Sequence, residues 1–128
     1  MARAHAEIGS VRYVTAIKAG HHDLTADESP ALGGQDAGPS PYELLLAGLG
    51  ACTAITLKMY AERKDWPLEE LAVGLLFQMV DGKQRIDRTL TVTGGLSDEQ
   101  RARLADIAER TPVTLTLKSG VEIRTELR

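Results

Sequence analysis

The chain is poor in cysteine and in aromatic residues, and this excludes several classes of protein. It has a single cysteine, Cys52, so no intrachain disulfide can form and nothing in its composition indicates an oxidising compartment. Aromatic residues make up 4% of the 128 residues, and 15 basic against 18 acidic residues give a formal charge of −3. With few aromatic residues for stacking and no basic cluster, the sequence argues against nucleic-acid binding.

A leader segment and long apolar runs are also not apparent. The first ten residues, MARAHAEIGS, contain no apolar run after their charges, and no stretch approaches the roughly 18 apolar residues of a membrane span. We therefore expect a cytoplasmic protein of bacterial type that has no membrane partner. The length predicts one domain, residues 1–128, with a core that needs neither metal nor disulfide.

The N-terminal part predicts strands followed by a long loop. Alternating β-branched and polar residues over 8–20 predict a strand that leads to a turn at Gly20, and Leu24–Ala26 predicts a second short strand. Residues 29–41 are dense in glycine, proline, serine and aspartate. Such a composition is typical of a loop that covers part of the surface.

A long apolar helix is predicted next. Ser40 is a good N-cap, Pro41 suits the first turn, and apolar residues continue for about six turns until the helix ends near Lys64. Its apolar face is too wide for a surface helix. We therefore expect a central helix that is buried on most sides and packs against a sheet and a second copy of itself.

The second half of the sequence predicts a hairpin and further helices. Residues 71–80 and 85–93 read as strands around an Asp81-Gly82 turn, and Ser97 opens an amphipathic helix. Thr111 and Pro112 are suited to begin one more short helix.

The chain is predicted to end in a last strand, Val121–Leu127. The resulting order of elements is α+β, since the sequence has neither a repeating βαβ unit nor a glycine-rich nucleotide loop.

Two segments carry a family resemblance. GPSPYELLLAGLGACTAITLKMYA, residues 38–61, and AERTPVTLTLKSGVEIRTEL, residues 108–127, resemble the two signature regions of OsmC/Ohr proteins. The resemblance covers nearly the whole chain. It implies an OsmC-like fold in which a central buried helix is wrapped by antiparallel sheets, within an intertwined homodimer whose two central helices pack back to back. It also implies a thiol peroxidase activity, which many members have.

The resemblance assigns roles to two positions. Cys52 corresponds to the family's peroxide-reacting cysteine, which becomes a sulfenic acid and then needs a second thiol to resolve it. The family's second cysteine precedes a Pro-Val pair, and this sequence has Thr111 at that place. A hydroxyl can hydrogen-bond a thiolate but cannot form a disulfide, so an external thiol would have to complete the cycle.

The family's two helper residues are replaced. Tyr42 stands where the peroxidase subgroup has a glutamate. Glu43 does not inherit that role, because it lies roughly 180° around the helix from Cys52, whereas Tyr42 lies roughly 80° away. The family's arginine falls at Gly20-His21-His22, where His21 is a candidate replacement as a hydrogen-bond donor.

Each candidate also has a structural interpretation. His21 and His22 are more often solvent-exposed turn residues, and two adjacent histidines are a weak metal signal, so we expect no metal and no cofactor. Cys52 lies three turns into its helix, too far for the dipole of that helix to act, and buried free cysteines usually serve as small core residues. Against this, the small residues Gly48, Gly50, Ala51 and Ala54 leave space around it.

Three functions therefore remain open. The first is an OsmC-like stress-response protein that reduces a small hydrophobic peroxide, or senses redox state, through Cys52 with an external thiol as reductant. The second is a non-catalytic dimer that binds a small hydrophobic ligand in an apolar crevice. The third is a dimeric scaffold without a ligand. Retention of Cys52 favours the first hypothesis, and the threonine at position 111 favours the other two.

Overall fold

The computed structural model describes all residues, 1 to 128, and they form two compact units. The unit of residues 1–45 contains a three-stranded antiparallel sheet, and the unit of residues 46–128 contains a two-stranded antiparallel sheet with helices. This combination confirms the α+β class. In chain order the elements are β1 (Ala4–Ile8), β2 (Thr15–Ala19), β3 (His22–Ala26), a 3₁₀ turn (Pro30–Leu32), α1 (Pro41–Arg63), β4 (Glu70–Val80), β5 (Lys83–Thr93), α2 (Asp98–Ala108) and α3 (Pro112–Ser119).

The first sheet has β2 in its centre, paired with β1 on one side and β3 on the other. The short strand predicted near Leu24 is confirmed as part of β3. The prediction of one strand leading through residues 8–20 was wrong, because the chain turns between β1 and β2. Tyr13 has a φ of 63°, a left-handed conformation that a strand does not accommodate, so the strand residues of this stretch are Ile8, which ends β1, and Thr15–Ala19, which form β2.

Asp27 organises the predicted loop that follows β3. The residue is 2% exposed. One carboxylate oxygen accepts the N–H of Glu28 at 2.7 Å, and the other accepts those of Gln35 and Ala37, each at 3.1 Å. These donors, first among them Ala37, hold the pKa of Asp27 below its ordinary value despite the opposing effect of burial.

Replacing Asp27 with asparagine is expected to destabilise this loop at neutral pH and to matter little in acid. Because the folded-state pKa lies below the unfolded value of about 3.9, the carboxylate stabilises the fold above that pH. The contribution is lost as the pH falls through the lower folded-state pKa. Urea unfolding of parent and variant at neutral pH and in strong acid measures the difference.

The control for this prediction is Asp36→Asn in the same loop. Asp36 is exposed with a φ of 55°, a conformation that asparagine also adopts, so this variant should match the parent at both pH values. Equal stability of the Asp27 variant and the parent at neutral pH would contradict the role given to the carboxylate.

The predicted long helix is confirmed as α1, with Ser40 as its cap. The Ser40 hydroxyl accepts the N–H of Glu43 at 3.3 Å, and the Glu43 carboxylate accepts the N–H of Ser40 at 2.9 Å. This reciprocal pair satisfies donors that the first turn of a helix otherwise leaves free. The backbone hydrogen bond from Ser40 lowers the pKa of Glu43 most. Glu43 is thus a capping residue.

α1 presents two different faces within one chain. Every fourth residue from Leu49 is buried, giving a stripe of Leu49, Thr53, Leu57 and Ala61. The opposite stripe, called the open stripe below, consists of Gly48, Ala51, Ile55 and Met59. Ile55 is 56% exposed and Met59 is 52% exposed, so the chain by itself leaves a row of apolar and small residues in contact with solvent.

α1 is also long and apolar enough to cross a membrane, with a mean hydropathy of 1.5 over its most apolar window of 18 residues. The sequence-based statement that no stretch approaches such a length was therefore wrong, because the charged residues Glu43, Lys58, Glu62 and Arg63 lie towards the two ends of the helix. Central helices of soluble proteins meet the same criterion of length and composition.

The hairpin of the second unit matches its prediction. β4 and β5 are 11 residues each and pair in register from Glu70 opposite Thr93 to Val80 opposite Lys83. Asp81 and Gly82 have φ values of 51° and 77°, as a two-residue hairpin turn requires. The inward residues of the hairpin contribute to a core centred on Leu57, Leu104 and Ala108, with Tyr60, Trp66, Leu71, Leu90, Val92, Leu96 and Ile107 packed around it.

Both predicted C-terminal helices form, but the predicted last strand does not. Ser97 closes a capping box with Gln100 at the start of α2, and Thr111 caps α3. The prediction of a strand over Val121–Leu127 was wrong for the single chain, where these residues are exposed and form no regular element. A strand needs a neighbouring strand for its backbone hydrogen bonds, and this segment has none here.

Candidate functional site

Cys52 lies on α1 and is half-buried. It precedes Thr53 of the buried stripe, so its side chain points to the edge of that stripe. Its sulfur lies 4.0 Å from the hydroxyl oxygen of Thr56 and 3.5 Å from the backbone nitrogen of Val113, whose N–H donates to it. The thiol is therefore neither a fully buried core group nor an isolated surface group.

The donor to this sulfur belongs to the N-terminus of a second helix. Val113 is the second residue of α3, where backbone N–H groups have no partner within the helix. The partial positive charge at this end of a helix stabilises negative charge on a nearby atom. Sequence analysis considered only the dipole of α1, because a single sequence does not reveal that α3 begins beside Cys52.

Thr111, at the place of the family's second cysteine, is fully buried at the start of α3. Its hydroxyl oxygen accepts the N–H of Thr114 at 3.4 Å and lies 2.7 Å from the Thr114 hydroxyl. The structure thus brings the Thr111-Pro112-Val113 turn next to Cys52. The group that contacts the sulfur is the backbone of Val113, whereas the hydroxyl of Thr111 caps α3.

The two other candidates belong to residues 1–45. Tyr42 is the second residue of α1 and is 51% exposed. His21 lies exposed in the turn between β2 and β3, with its ring centroid 4.1 Å from that of His22. No group of three or more histidine, cysteine, aspartate or glutamate side chains is arranged to hold a metal ion. The proposed roles of Tyr42 and His21 beside Cys52 stay predictions.

The glycines near Cys52 serve different purposes. A Cβ atom at Gly50 would lie 2.8 Å from the Cδ1 atom of Leu75, so glycine allows α1 to pack closely against β4. A Cβ atom at Gly48 would have no neighbour within 4 Å. Of the small residues that were expected to leave space around Cys52, Gly50 is therefore packed against the sheet and Gly48 is open.

Sequence analysis missed a polar cluster next to Cys52. The cluster is centred on Arg88 of β5, which donates to Thr53, Thr114, the carbonyl of Ala108 and the carboxylate of Glu109. A signal for it was present, because Arg88 alternates with Leu90 and Val92 along β5 and so falls on the inward face of an otherwise apolar strand.

Comparison with known proteins supports the fold and gives the family. An OsmC-like protein of Mycoplasma pneumoniae is similar over 92% of this chain and 87% of its own, with 19% identity and a TM-score of 0.79. The organic hydroperoxide resistance protein OhrB of Bacillus subtilis is similar over 100% and 98%, with 25% identity and a TM-score of 0.62. None of the curated proteins matches the sequence.

A further similar structure comes from Legionella pneumophila and is described as an organic hydroperoxide resistance protein OsmC. It covers 92% of this chain and 89% of its own, with 21% identity and a TM-score of 0.67. The model of the family described as OsmC-like protein matches residues 33–126, which include α1, the Cys52 site and α3. The chain belongs to the OsmC-like protein family.

Proposed function

We propose that this protein reduces small hydrophobic hydroperoxides through Cys52 and that an external thiol completes each cycle. The observation that carries the proposal is the N–H of Val113, at the N-terminus of α3, directed at the sulfur of Cys52 at 3.5 Å. The names of the similar B. subtilis and L. pneumophila proteins, both organic hydroperoxide resistance proteins, support the same substrate class.

The proposed cycle uses one protein thiol, Cys52, and two co-reactants, the hydroperoxide and an external thiol. The Cys52 thiolate attacks an oxygen of the hydroperoxide, the O–O bond breaks, and the alkoxide that leaves takes up a proton to become an alcohol. The resulting sulfenic acid condenses with an external thiol, releasing water and forming a mixed disulfide. A second external thiol attacks this mixed disulfide and returns Cys52 to its reduced form. A cytoplasmic location would keep the lone cysteine reduced between cycles.

The proposed active form is a homodimer. The open stripe of α1 leaves Ile55 and Met59 in water within one chain, and its small members Gly48 and Ala51 allow another helix to approach closely. Residues 121–127 also lack the neighbouring strand that their alternating sequence requires. A second copy could supply both contacts, and an apolar crevice beside Cys52 would then suit a small hydrophobic peroxide.

Exposure of the reduced protein to cumene hydroperoxide is expected to oxidise Cys52 to a sulfenic acid faster than a free thiol reacts. A hydrogen bond to a charged group contributes about 1.5 kcal/mol, and because a stabilised sulfur is also a weaker nucleophile, only about half of this appears in the rate, an advantage of roughly threefold. Trapping with a dimedone probe, followed by mass spectrometry at set times, measures the rate and the position. Continued turnover should require an added thiol.

Cys52→Ser is the matched control and should bind no probe. Oxidation of Cys52 no faster than that of free cysteine would contradict the peroxidase and favour the non-catalytic dimer that binds a hydrophobic ligand. Rapid turnover without any added thiol would contradict the proposed cycle, because the chain contains no second cysteine.

A further inference from the structure

Arg88 occupies an unusual place for a cation. It lies on the inward face of β5, opposite Leu75 of β4 in the register of the hairpin. Its side chain is 12% exposed. Removing a charged group from water is costly unless several partners compensate for the lost hydration, so the contacts of Arg88 indicate what it stabilises.

The contacts of Arg88 join three helices. One terminal nitrogen, Nη1, donates to the hydroxyl oxygens of Thr53 at 3.0 Å and Thr114 at 2.8 Å, and so links α1 to α3. The other, Nη2, donates to the carbonyl of Ala108 at 2.7 Å and the carboxylate of Glu109 at 2.9 Å, at the end of α2. The guanidinium therefore fixes the start of α3 relative to α1.

The two threonines lie next in sequence to the two residues that form the hydrogen bond at the thiol. Thr53 follows Cys52 in the sequence, and Thr114 follows Val113, so the Nη1 bridge runs beside the bond from the Val113 N–H to the sulfur. We propose that Arg88 is a positioning residue that holds the N-terminus of α3 within hydrogen-bonding reach of Cys52. This inference rests on the proposed thiol function, and Arg88 acts through Thr53 and Thr114.

An arginine suits this task better than a lysine. The planar guanidinium offers several N–H groups in a fixed fork, so it can donate to two hydroxyls and a carbonyl at once. The ammonium of a lysine keeps the charge but is compact and sits at the end of a flexible chain. Arg88→Lys therefore preserves the buried charge while weakening the bridge.

The first test compares the parent with Arg88→Lys and Arg88→Met. The rate of Cys52 alkylation by iodoacetamide at neutral pH reports on the sulfur, and amide hydrogen exchange followed by NMR reports on the N–H of Val113. We expect alkylation to slow by roughly threefold in the methionine variant, as the loss of one hydrogen bond to the sulfur predicts once the opposing gain in nucleophilicity is included, with partial rescue by lysine. Exchange of the Val113 amide should accelerate in both variants.

Two controls separate positioning from general stability. Arg85→Met makes the same chemical change at a half-exposed position of the same strand and should leave both readouts at the parent values. The N–H of Leu115, which donates to the carbonyl of Thr111 at 3.0 Å, reports whether α3 itself remains folded. Its exchange should stay unchanged in Arg88→Lys. If the methionine variant fails to fold, the lysine variant decides the question.

Two outcomes would overturn the inference. One is a folded Arg88→Lys variant with the alkylation rate and Val113 exchange of the parent. The other is equal acceleration of Val113 and Leu115 exchange, which would mean that Arg88 only stabilises α3. A parent protein that fails to react with hydroperoxide would contradict the proposed function. It would not affect the test of Arg88, because alkylation and amide exchange do not depend on peroxidase activity.

Discussion

Arginine in place of Ile55 is expected to convert the proposed homodimer into monomers. Ile55 lies in the middle of the open stripe of α1 and is 56% exposed in one chain. In a two-fold dimer each substitution occurs on both sides of the interface. Because burying an unpaired charge costs several kcal/mol, two such charges should weaken the dimer by about 1,000-fold or more. Light scattering at micromolar concentration distinguishes the mass of one chain from that of two.

The matched control places the same charge on another exposed surface. Thr91 is exposed on β5, and Thr91→Arg should keep the two-chain mass. A parent protein that is monomeric at micromolar concentration would contradict the dimer. Sedimentation of the parent with phospholipid vesicles would show instead that a membrane covers the open stripe.

The substitution Thr111→Cys is expected to create an intrachain disulfide with Cys52 after treatment with peroxide. The turn that carries Thr111 already approaches the thiol, since the Val113 nitrogen lies 3.5 Å from the sulfur. A disulfide requires a Cα separation of about 4.4 to 6.8 Å, which a small shift of this turn can supply. The sulfenic acid on Cys52 would then condense with the introduced thiol and release water. Peptide mapping without reductant detects the cross-linked pair.

The first oxidation step should stay close to the parent rate, because the substitution supplies a resolving thiol and changes nothing that contacts the sulfur. The variant loses the Thr111 cap of α3, a change that costs about 1 kcal/mol. Adding Cys52→Ser to Thr111→Cys should abolish the intrachain bond. Cross-links found only between chains would mean that position 111 does not face Cys52, and the proposed correspondence with the family's second cysteine would be withdrawn.

Elements whose signals are local could be predicted from the sequence. Ser40, Ser97 and Thr111 each begin a helix as expected, because the capping hydrogen bonds involve residues only three positions apart. The hairpin could be predicted from its Asp81-Gly82 turn for a similar reason, since both residues tolerate the positive φ values that a two-residue hairpin turn requires. The physics that decides these features lies within a few residues, which a single sequence contains.

Elements that depend on distant partners could not be predicted in the same way. β1, with the sequence AHAEI, contains little that favours a strand, and it is extended because it pairs with β2. Residues 121–127 show the converse, since an alternating pattern forms no strand without a neighbour. Arg88 was overlooked because its acceptors lie 35 and 26 residues away at Thr53 and Thr114.

For the candidate site, the family resemblance located Cys52 and the turn at Thr111, and the structure places that turn beside the thiol. The resemblance did not reveal that the backbone N–H of Val113 is the group that contacts the sulfur, because a main-chain donor has no sequence signature. The clustering of Thr53, Thr114 and Arg88 likewise required three separate elements to be placed in space.

The distance along the chain between Cys52 and its N–H donor sets an order of events during synthesis and folding. The β4–β5 hairpin closes through a two-residue turn, so it can form early from neighbouring residues. The bond from Val113 to Cys52 joins residues 61 positions apart, and such closure is slower and costs more chain entropy. A nascent chain therefore carries the Cys52 thiol without this contact until α3 has been synthesised and has folded back onto α1. The thiol site is thus completed only after the hairpin that lies between Cys52 and α3 has been synthesised.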